Sequence, residues 1–301
     1  ATGEDIAELH LHGGRAVVAA VENALAALPG LRRAEPGEFT RRAFANGRID
    51  LAEAEGLADL LSAETELQRR SALAMASGAL SAAVEGWRSR LLMLSASLEA
   101  VLDFSDEDDV AVLPEGFAAE CAVLAGEIDT WLARPRAELL RDGFRVVLAG
   151  PPNAGKSTLF NSLTESEAAI VTAIPGTTRD VITRAVSLDG VPFVFVDTAG
   201  LRESGADLVE AIGIDRARDA ADRADLVLWL GAVAEAPPGA NVWTIAAQSD
   251  RHVPDASARH AVSAQTGAGM NALRDALVAH GRTALPAPGE AALNQRQHRL
   301  L

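Results

Sequence analysis

The sequence predicts an α/β domain with a doubly wound sheet, inserted after a helical module and preceded by part of an α+β domain. Two observations predict this. From 48 to 141 apolar residues recur at three- and four-residue spacing, the period of buried helices. At Gly143 the period changes, and short apolar runs begin to alternate with helical stretches.

Taken in order, Ala7 to His12 alternates apolar and polar residues and reads as a strand. Gly13-Gly14 punctuates it, and Arg15 to Leu28 reads as a helix closed by Pro29-Gly30. Leu31 to Gly47 reads as an irregular, Arg-rich connection. Ile49 to Leu102 is helical almost throughout, with Leu51, Ala54, Leu57, Ala58 and Leu61, then Ala72, Met75 and Ala79, recurring at three and four residues. Asp103 to Asp109 reads as a solvated acidic loop or cap, and Pro114 to Leu140 is helical again. Phe144 to Ala149 is a buried strand and Ser157 to Leu163 a helix. Asp180 to Leu188 and Val191 to Val196 are strands joined by the hairpin signal Asp189-Gly190. Ile212 to Ala224 and Met270 to His280 are helical. Leu226 to Leu230, Val242 to Ala247 and Ala261 to Ser263 are strands. The crossover from Leu230 to Val242 contains Pro237-Pro238 and is too short for a full crossover helix. The resulting divisions are 1–47, 48–141, 142–284 and 285–301.

Composition narrows the function classes. With 301 residues, 49% apolar and 23% charged, the chain has an ordinary globular balance. A net charge of -15 opposes non-specific coating of nucleic acid, so any RNA contact needs a local basic patch or a shared surface. The single cysteine, Cys121, excludes an intrachain disulfide and a cysteine metal cluster, and fits a reducing compartment. It lies in an apolar helical stretch and reads as a small buried hydrophobe. The first residues are not a signal peptide, and the longest apolar run, Leu226 to Ala234, falls short of the ~18 residues of a membrane span. A soluble, cytoplasmic protein with no membrane partner is expected. Of 27 Lys and Arg residues, Lys156 is the only lysine.

That lysine stands in Gly150-Pro151-Pro152-Asn153-Ala154-Gly155-Lys156-Ser157, which fits the phosphate-loop pattern G-x-x-x-x-G-K-[ST] between a strand and a helix. Backbone amides of Ala154 and Gly155 through Thr158, with the helix N-terminus, suit nucleotide phosphates. Lys156 would reach the β- and γ-phosphates, and the Ser157 hydroxyl would hold Mg²⁺. Asp197-Thr198-Ala199-Gly200 follows an apolar strand, placing a carboxylate for the Mg²⁺ water shell and the Gly200 amide for the γ-phosphate. Between them, Thr177 and Thr178 occupy the place of a switch that supplies a hydroxyl to Mg²⁺. The base-reading pattern Asn-Lys-x-Asp is altered to Ala247-Gln248-Ser249-Asp250. Asp250 can still accept from the guanine N1 and N2 protons, and Ser263-Ala264-Gln265 fits the loop whose backbone reads guanine O6. GTP is expected over ATP, with looser discrimination.

Asn153, the run Ala169-Ile170-Val171-Thr172-Ala173-Ile174-Pro175-Gly176-Thr177-Thr178-Arg179-Asp180, and Asp197 to Arg202 resemble the tRNA-modification GTPase family MnmE, also called TrmE. Gly13-Gly14 agrees, as does Pro36 to Glu55, a stretch that other P-loop GTPases lack. The resemblance implies a P-loop GTPase domain inserted after a helical domain, behind part of a folate-binding and dimerisation domain. It implies a homodimer that works with an MnmG-like FAD-dependent protein on the wobble uridine of tRNA at C5. K⁺ would be held by the Asn153 side chain with Thr172, Ile174 and Thr177, and Mg²⁺ by Ser157 and Thr178. Leu201 cannot orient water, and Glu210 in Val209-Glu210-Ala211-Ile212-Gly213-Ile214 matches the family's water-positioning glutamate. Glu8 and Arg48 match positions facing a tetrahydrofolate derivative, 5-formyl or methylene.

The resemblance also has limits. The chain starts within the family's N-terminal domain, and Asn294 to Leu301 matches only the start of its closing helical stretch, without the Cys-Ile-Gly-Lys-like motif. The expectation is a fragment or a shortened protein that hydrolyses GTP without supporting full modification alone. The competing readings are a ribosome- or metal-centre-assembly switch, against which Pro36 to Glu55 argues, and a degenerate, non-hydrolysing scaffold.

Overall fold

Helices fill the first half, and two of them start on residues whose side chains cap the first turn. The computed structural model describes residues 1–103, 112–165, 182–197, 224–239 and 241–301. α1 (Arg15–Ala26) and α2 (Glu38–Ala45) precede α3 (Leu51–Ser62), α4 (Glu66–Ala76), α5 (Ala79–Asp103), α6 (Phe117–Leu132) and α7 (Ala137–Asp142). At the start of α3, the Asp50 carboxylate accepts from the Glu53 amide and the Glu53 carboxylate from the Asp50 amide, both at 2.8 Å. Thr65 and Gln68 repeat this capping box at α4. Gln68 also donates from its side chain to the Leu140 carbonyl at 3.0 Å, tying α4 to α7. Trp87 of α5 and Trp131 of α6 meet edge to face with ring centres 5.9 Å apart.

The sheet begins at β1 (Phe144–Ala149) and continues with β2 (Ile182–Leu188), β3 (Val191–Asp197), β4 (Leu226–Trp229), β5 (Val242–Ala246) and β6 (His260–Ala261). Its strand order is β2-β3-β1-β4-β5-β6, with β2 antiparallel to β3 and every other pairing parallel. Asp189 and Gly190, which join β2 to β3, have φ of 49° and 78°, as the favoured two-residue hairpin turn requires. On one face Phe144, Val146 and Leu148 of β1 and Phe193 and Phe195 of β3 share a core with α8 (Lys156–Glu165) and α9 (Met270–Ala284). Leu159, Phe160 and Leu163 of α8 and Leu273 and Leu277 of α9 fill it. Val147, Val194 and Val196 are buried on the other face. Burial on both faces explains why these strands read as continuous apolar runs. Between β4 and β5 the described residues hold only a 3₁₀ turn, Val233–Glu235, as the short crossover led us to expect.

After α9 the chain returns to the helices. Ser71 Oγ donates to the Glu290 carbonyl at 2.7 Å, and the Ala137 amide donates to the Leu293 carbonyl at 3.0 Å. Glu55 of α3 accepts from the side chains of Asn294 at 2.9 Å, Gln297 at 2.7 Å and Arg296 at 2.9 Å, around the start of α10 (Gln295–Leu300). The Arg296 hydrogen bonds hold the Glu55 carboxyl below its ordinary range, against a partial desolvation that raises it.

Three expectations need correction. Ala7 to His12 forms no strand: Leu9 and Leu11 are exposed, and among the described residues no segment pairs with its backbone. Residues 1–47 hold two helices and no strand. Leu31 to Gly47 is not irregular throughout, because it contains α2. There the Glu38 carboxylate gathers Arg32 at 2.7 Å, Arg42 at 3.3 Å and the Glu35 amide at 2.9 Å, so the dense charge is paired. Cys121 is half-buried in α6 rather than a core residue. Residues 104–109 of the acidic run and 212–223 of the Ile212 to Ala224 helix lie outside the described residues. Among the described residues, no helix is long and apolar enough to cross a membrane.

α3 and α4 approach most closely at Gly56, where an added Cβ would lie 2.5 Å from the Ala76 nitrogen and 2.8 Å from the Met75 carbonyl carbon. Backbone cannot yield as a side-chain tip can, so Gly56→Ala is expected to destabilise the fold by about 1–3 kcal/mol in urea denaturation. Gly86→Ala, facing open space on α5, is expected to leave stability unchanged or slightly raised.

Candidate nucleotide-binding site

The site is built where β1 leaves the core. Gly150 has φ 145°, and a Cβ there would lie 3.1–3.3 Å from the Leu230 backbone, so the chain turns out of the sheet on a residue without a side chain. Asn153 (φ 62°) and Gly155 (φ 91°) also take left-handed conformations as the loop wraps toward α8. α8 then starts at Lys156, so the positive end of its dipole adjoins the loop. Lys156 is only 7% exposed, and its ammonium donates to the carbonyls of Gly150 at 2.9 Å and Pro151 at 2.7 Å. A buried cation is thus held across the mouth of the loop. Ser157 and Thr158 are exposed beside it.

Asp197 ends β3 in register with Leu148 of β1, two residues before the loop, and is 1% exposed. A carboxylate at a strand end and a hydroxyl at a helix start are hard oxygen donors of the kind Mg²⁺ takes. Among the described residues no group of three or more His, Cys, Asp or Glu gathers as a metal site.

A cleft with about 430 Å³ of unfilled space adjoins the loop, lined by Gly155, Thr158, Gln248, Asp250, Ala264 and Gln265 among others. Ser263 Oγ donates to Asp250 at 2.5 Å and accepts from the Thr266 amide at 3.2 Å. The Ser263 hydrogen bond is the main reason the Asp250 carboxyl lies below its ordinary range. The Ser249 amide donates to the Val262 carbonyl at 3.1 Å, so the loops after β5 and β6 are tied together. Arg251 reaches Gln265 at 3.4 Å on the same rim.

The structure thus brings together Asn153, Ala154, Gly155, Lys156, Ser157, Thr158, Asp197, Asp250, Ser263, Ala264 and Gln265 at one edge of the sheet. Thr172, Ile174, Thr177, Thr178, Thr198, Ala199, Gly200 and Glu210 lie outside the described residues. Glu8 and Arg48 are not joined by a hydrogen bond or ion pair. Glu8 lies 3.7 Å from His10, and Arg48 packs beside Gly3. The sequence reading missed two members of the rim, Arg251 and the contact made by Gln248. Only their position beside Asp250 could have signalled them.

Because Ser263 lowers the Asp250 carboxyl, the sign of its linkage follows. The stabilisation from ionised Asp250 is present above its ordinary range and is lost as pH falls through the lowered value. Ser263→Ala is expected to move the Asp250 carboxyl up toward that ordinary range, read by NMR titration of the side-chain carboxyl carbon.

Comparison with known proteins agrees with this geometry. Residues 51–301 match the family described as MnmE helical domain, and residues 1–48 match GTP-binding protein TrmE N-terminus. The tRNA modification GTPase MnmE of Novosphingobium aromaticivorans is 68% identical over 99% of this chain and 71% of its own length. That of Erythrobacter litoralis is 61% identical over 100% of this chain and 71% of its own. Among solved structures, Aquifex aeolicus Era bound to GDP and aluminium fluoride is 21% identical over 48% of this chain and 57% of its own, with a TM-score of 0.34, too loose a superposition to add to the sequence match. With the phosphate loop and matches to both family models over nearly its whole length, the chain belongs to the MnmE family of tRNA modification GTPases.

Proposed function

We propose that this GTP-hydrolysing enzyme is K⁺-activated and acts, as a homodimer with an MnmG-like flavoprotein, in modifying the wobble uridine of tRNA at C5. The observation that carries the reading is the phosphate loop, with Asn153 left-handed at its crest and Lys156 buried beneath it, opening beside the Asp250 cleft. The cytoplasm, where tRNA is modified, is its expected compartment.

The chain's own residues divide the work. Amides at the start of α8 and the Lys156 ammonium bind the phosphates and offset their charge. Asp250 accepts from guanine N1 and N2, and the Ala264-Gln265 backbone meets O6. Ser157 and Thr178 would hold Mg²⁺, with Asp197 toward its water shell. When bound, the ion would supply positive charge that offsets the negative charge developing on the phosphates. Asn153, Thr172, Ile174 and Thr177 would hold K⁺ where many GTPases receive an arginine. The Gly200 amide would sense the γ-phosphate, with Thr198 and Ala199 in the same Asp197-to-Gly200 motif. Glu210 would orient the attacking water. Glu8 and Arg48 would face a tetrahydrofolate derivative that supplies the one-carbon unit.

GTP hydrolysis by the full chain is expected to be stimulated in KCl over NaCl at equal ionic strength, with Asn153→Ala removing the stimulation and retaining slow turnover. Equal rates in both salts for the wild-type chain would sink the K⁺ assignment. Glu210→Gln is expected to lower kcat by about 10²-fold or more while leaving GTP binding intact, read by single-turnover hydrolysis alongside calorimetry.

A further inference from the structure

A second cleft, with about 1070 Å³ of unfilled space, lies where the chain returning from α9 meets the helical module. Residues of α3, α4, α7 and the returning segment line it. Its walls are largely apolar: Gly56, Ala72, Met75, Leu140 and Ala292 are all buried there. The polar side chains around it are nearly all spent on the protein itself. Gln68 donates to the Leu140 carbonyl and accepts from the amides of Glu64 and Thr65. Ser71 donates to the Glu290 carbonyl, and Ser62 to that of Ala58. Asn294 and Gln297 donate to Glu55, and each accepts the other's backbone amide. Arg141 donates to Asp142, and Glu64 is exposed. Asp59 is the exception. It is half-buried, and among the described residues no group donates a hydrogen bond to its carboxylate. Burial is the first cause that holds this carboxyl above its ordinary range; the Arg141 charge opposes the rise, and Glu55 and Glu138 add to it.

We infer that this cleft is a binding site for an organic amine, with its cationic head on the Asp59 carboxylate and its apolar body along Gly56, Ala72, Met75 and Leu140. The site is separate from the nucleotide cleft and does not depend on how that cleft is read. A ligand's polar end has to match what the walls leave open. The amides and hydroxyls are paired in place, so a ligand competing for them would have to break existing bonds. An acceptor without a donor takes an N–H, and a cation adds charge attraction to that bond. An anion would instead meet Glu55, Asp59 and Glu64 in the lining, against Arg141 alone. Apolar walls with a few converging polar groups are the usual form of a small-molecule site. The occupant would touch both α3 and α4 and the returning segment, and so lie across their seam.

The chain has three methionines, and of these Met75 lines the cleft. Met93 is exposed on α5, and Met270 is buried at the start of α9. Their methyl groups, isotope-labelled in the full chain, report occupancy by NMR. Two probes are titrated: phenethylamine, protonated at neutral pH, and phenethyl alcohol, which has the same body and a neutral hydroxyl. The expected result is a saturable shift of the Met75 signal by phenethylamine, with Met93 and Met270 unmoved. Phenethyl alcohol is expected to bind about 10-fold more weakly, the scale of a hydrogen bond to a charged group. Asp59→Asn keeps the side-chain size and removes the charge. It is expected to weaken phenethylamine to the level of the alcohol, and to leave the alcohol within about twofold of its wild-type affinity. The comparison of the two probes on the wild-type chain stands by itself should the variant fold poorly. The site is overturned if phenethylamine leaves Met75 in place or moves it only in step with Met93. It is equally overturned if the two probes bind the wild-type chain alike, or if Asp59→Asn with an unchanged melting midpoint binds phenethylamine as tightly as wild type.

Discussion

The parallel hydrogen bonding of β1 to β3 on one side and to β4 on the other governs where everything functional can stand. Val146, Val147 and Leu148 have no exposed surface, so the strand cannot bend until it leaves the sheet at Ala149. Its two neighbours run the same way, in a register that sets Asp197 beside Leu148 and Trp229 beside Ala149. The chain therefore emerges at one edge three times: at Gly150, after Asp197 and at Leu230. β5 and β6 add the loops that carry Asp250 and Ser263 at the same edge. Open parallel sheets collect ligands at this edge for that reason, without any long-range side-chain reach.

Around this edge the polar groups are arranged to be held before any ligand contributes. Lys156 finds two carbonyls, Asp250 finds Ser263, and Gln248 finds Asn153. Each pairing fixes one orientation of a group that would otherwise sample several, so less ordering remains to be done on binding. Asn153 and Gln248 both take left-handed backbones, and their hydrogen bond joins the two loops.

The helical module is connected to this edge through the far end of the sheet. Leu67 of α4 and Leu140 of α7 join the same apolar core as β1 and α8. α9 runs from the loop after β6 to Leu285, and the chain beyond it is clamped at Ser71, Glu55 and Ala137. The Glu55 carboxylate serves three side chains of the returning segment at once, a ready means of holding the two halves in one arrangement.

The legible parts were those governed by local spacing. The phosphate loop announces itself because only small residues turn tightly enough to close backbone amides around an anion, and a lone lysine at its end marked the site. Strands β1, β3, β4 and β5 were legible as apolar runs, and the Asp189-Gly190 hairpin from its turn chemistry. The short crossover was legible from length alone. The failures share a physical cause. Ala7 to His12 has strand-like alternation, but a strand exists only when a neighbour takes its hydrogen bonds, and no local pattern reports the neighbour. α2 was hidden by charge whose pairing, Glu38 with Arg32 and Arg42, depends on the fold bringing those side chains together. The sequence by itself determined the phosphate loop, the strand that carries it and the chemical class of its ligand, because these rest on contacts between near neighbours in the chain. Only the tertiary structure decided that Asp197 stands two residues short of that loop, that Ser263 tunes Asp250, and that Gln248 reaches Asn153. Those relations join residues brought together by sheet register, and register is a property of the assembled sheet.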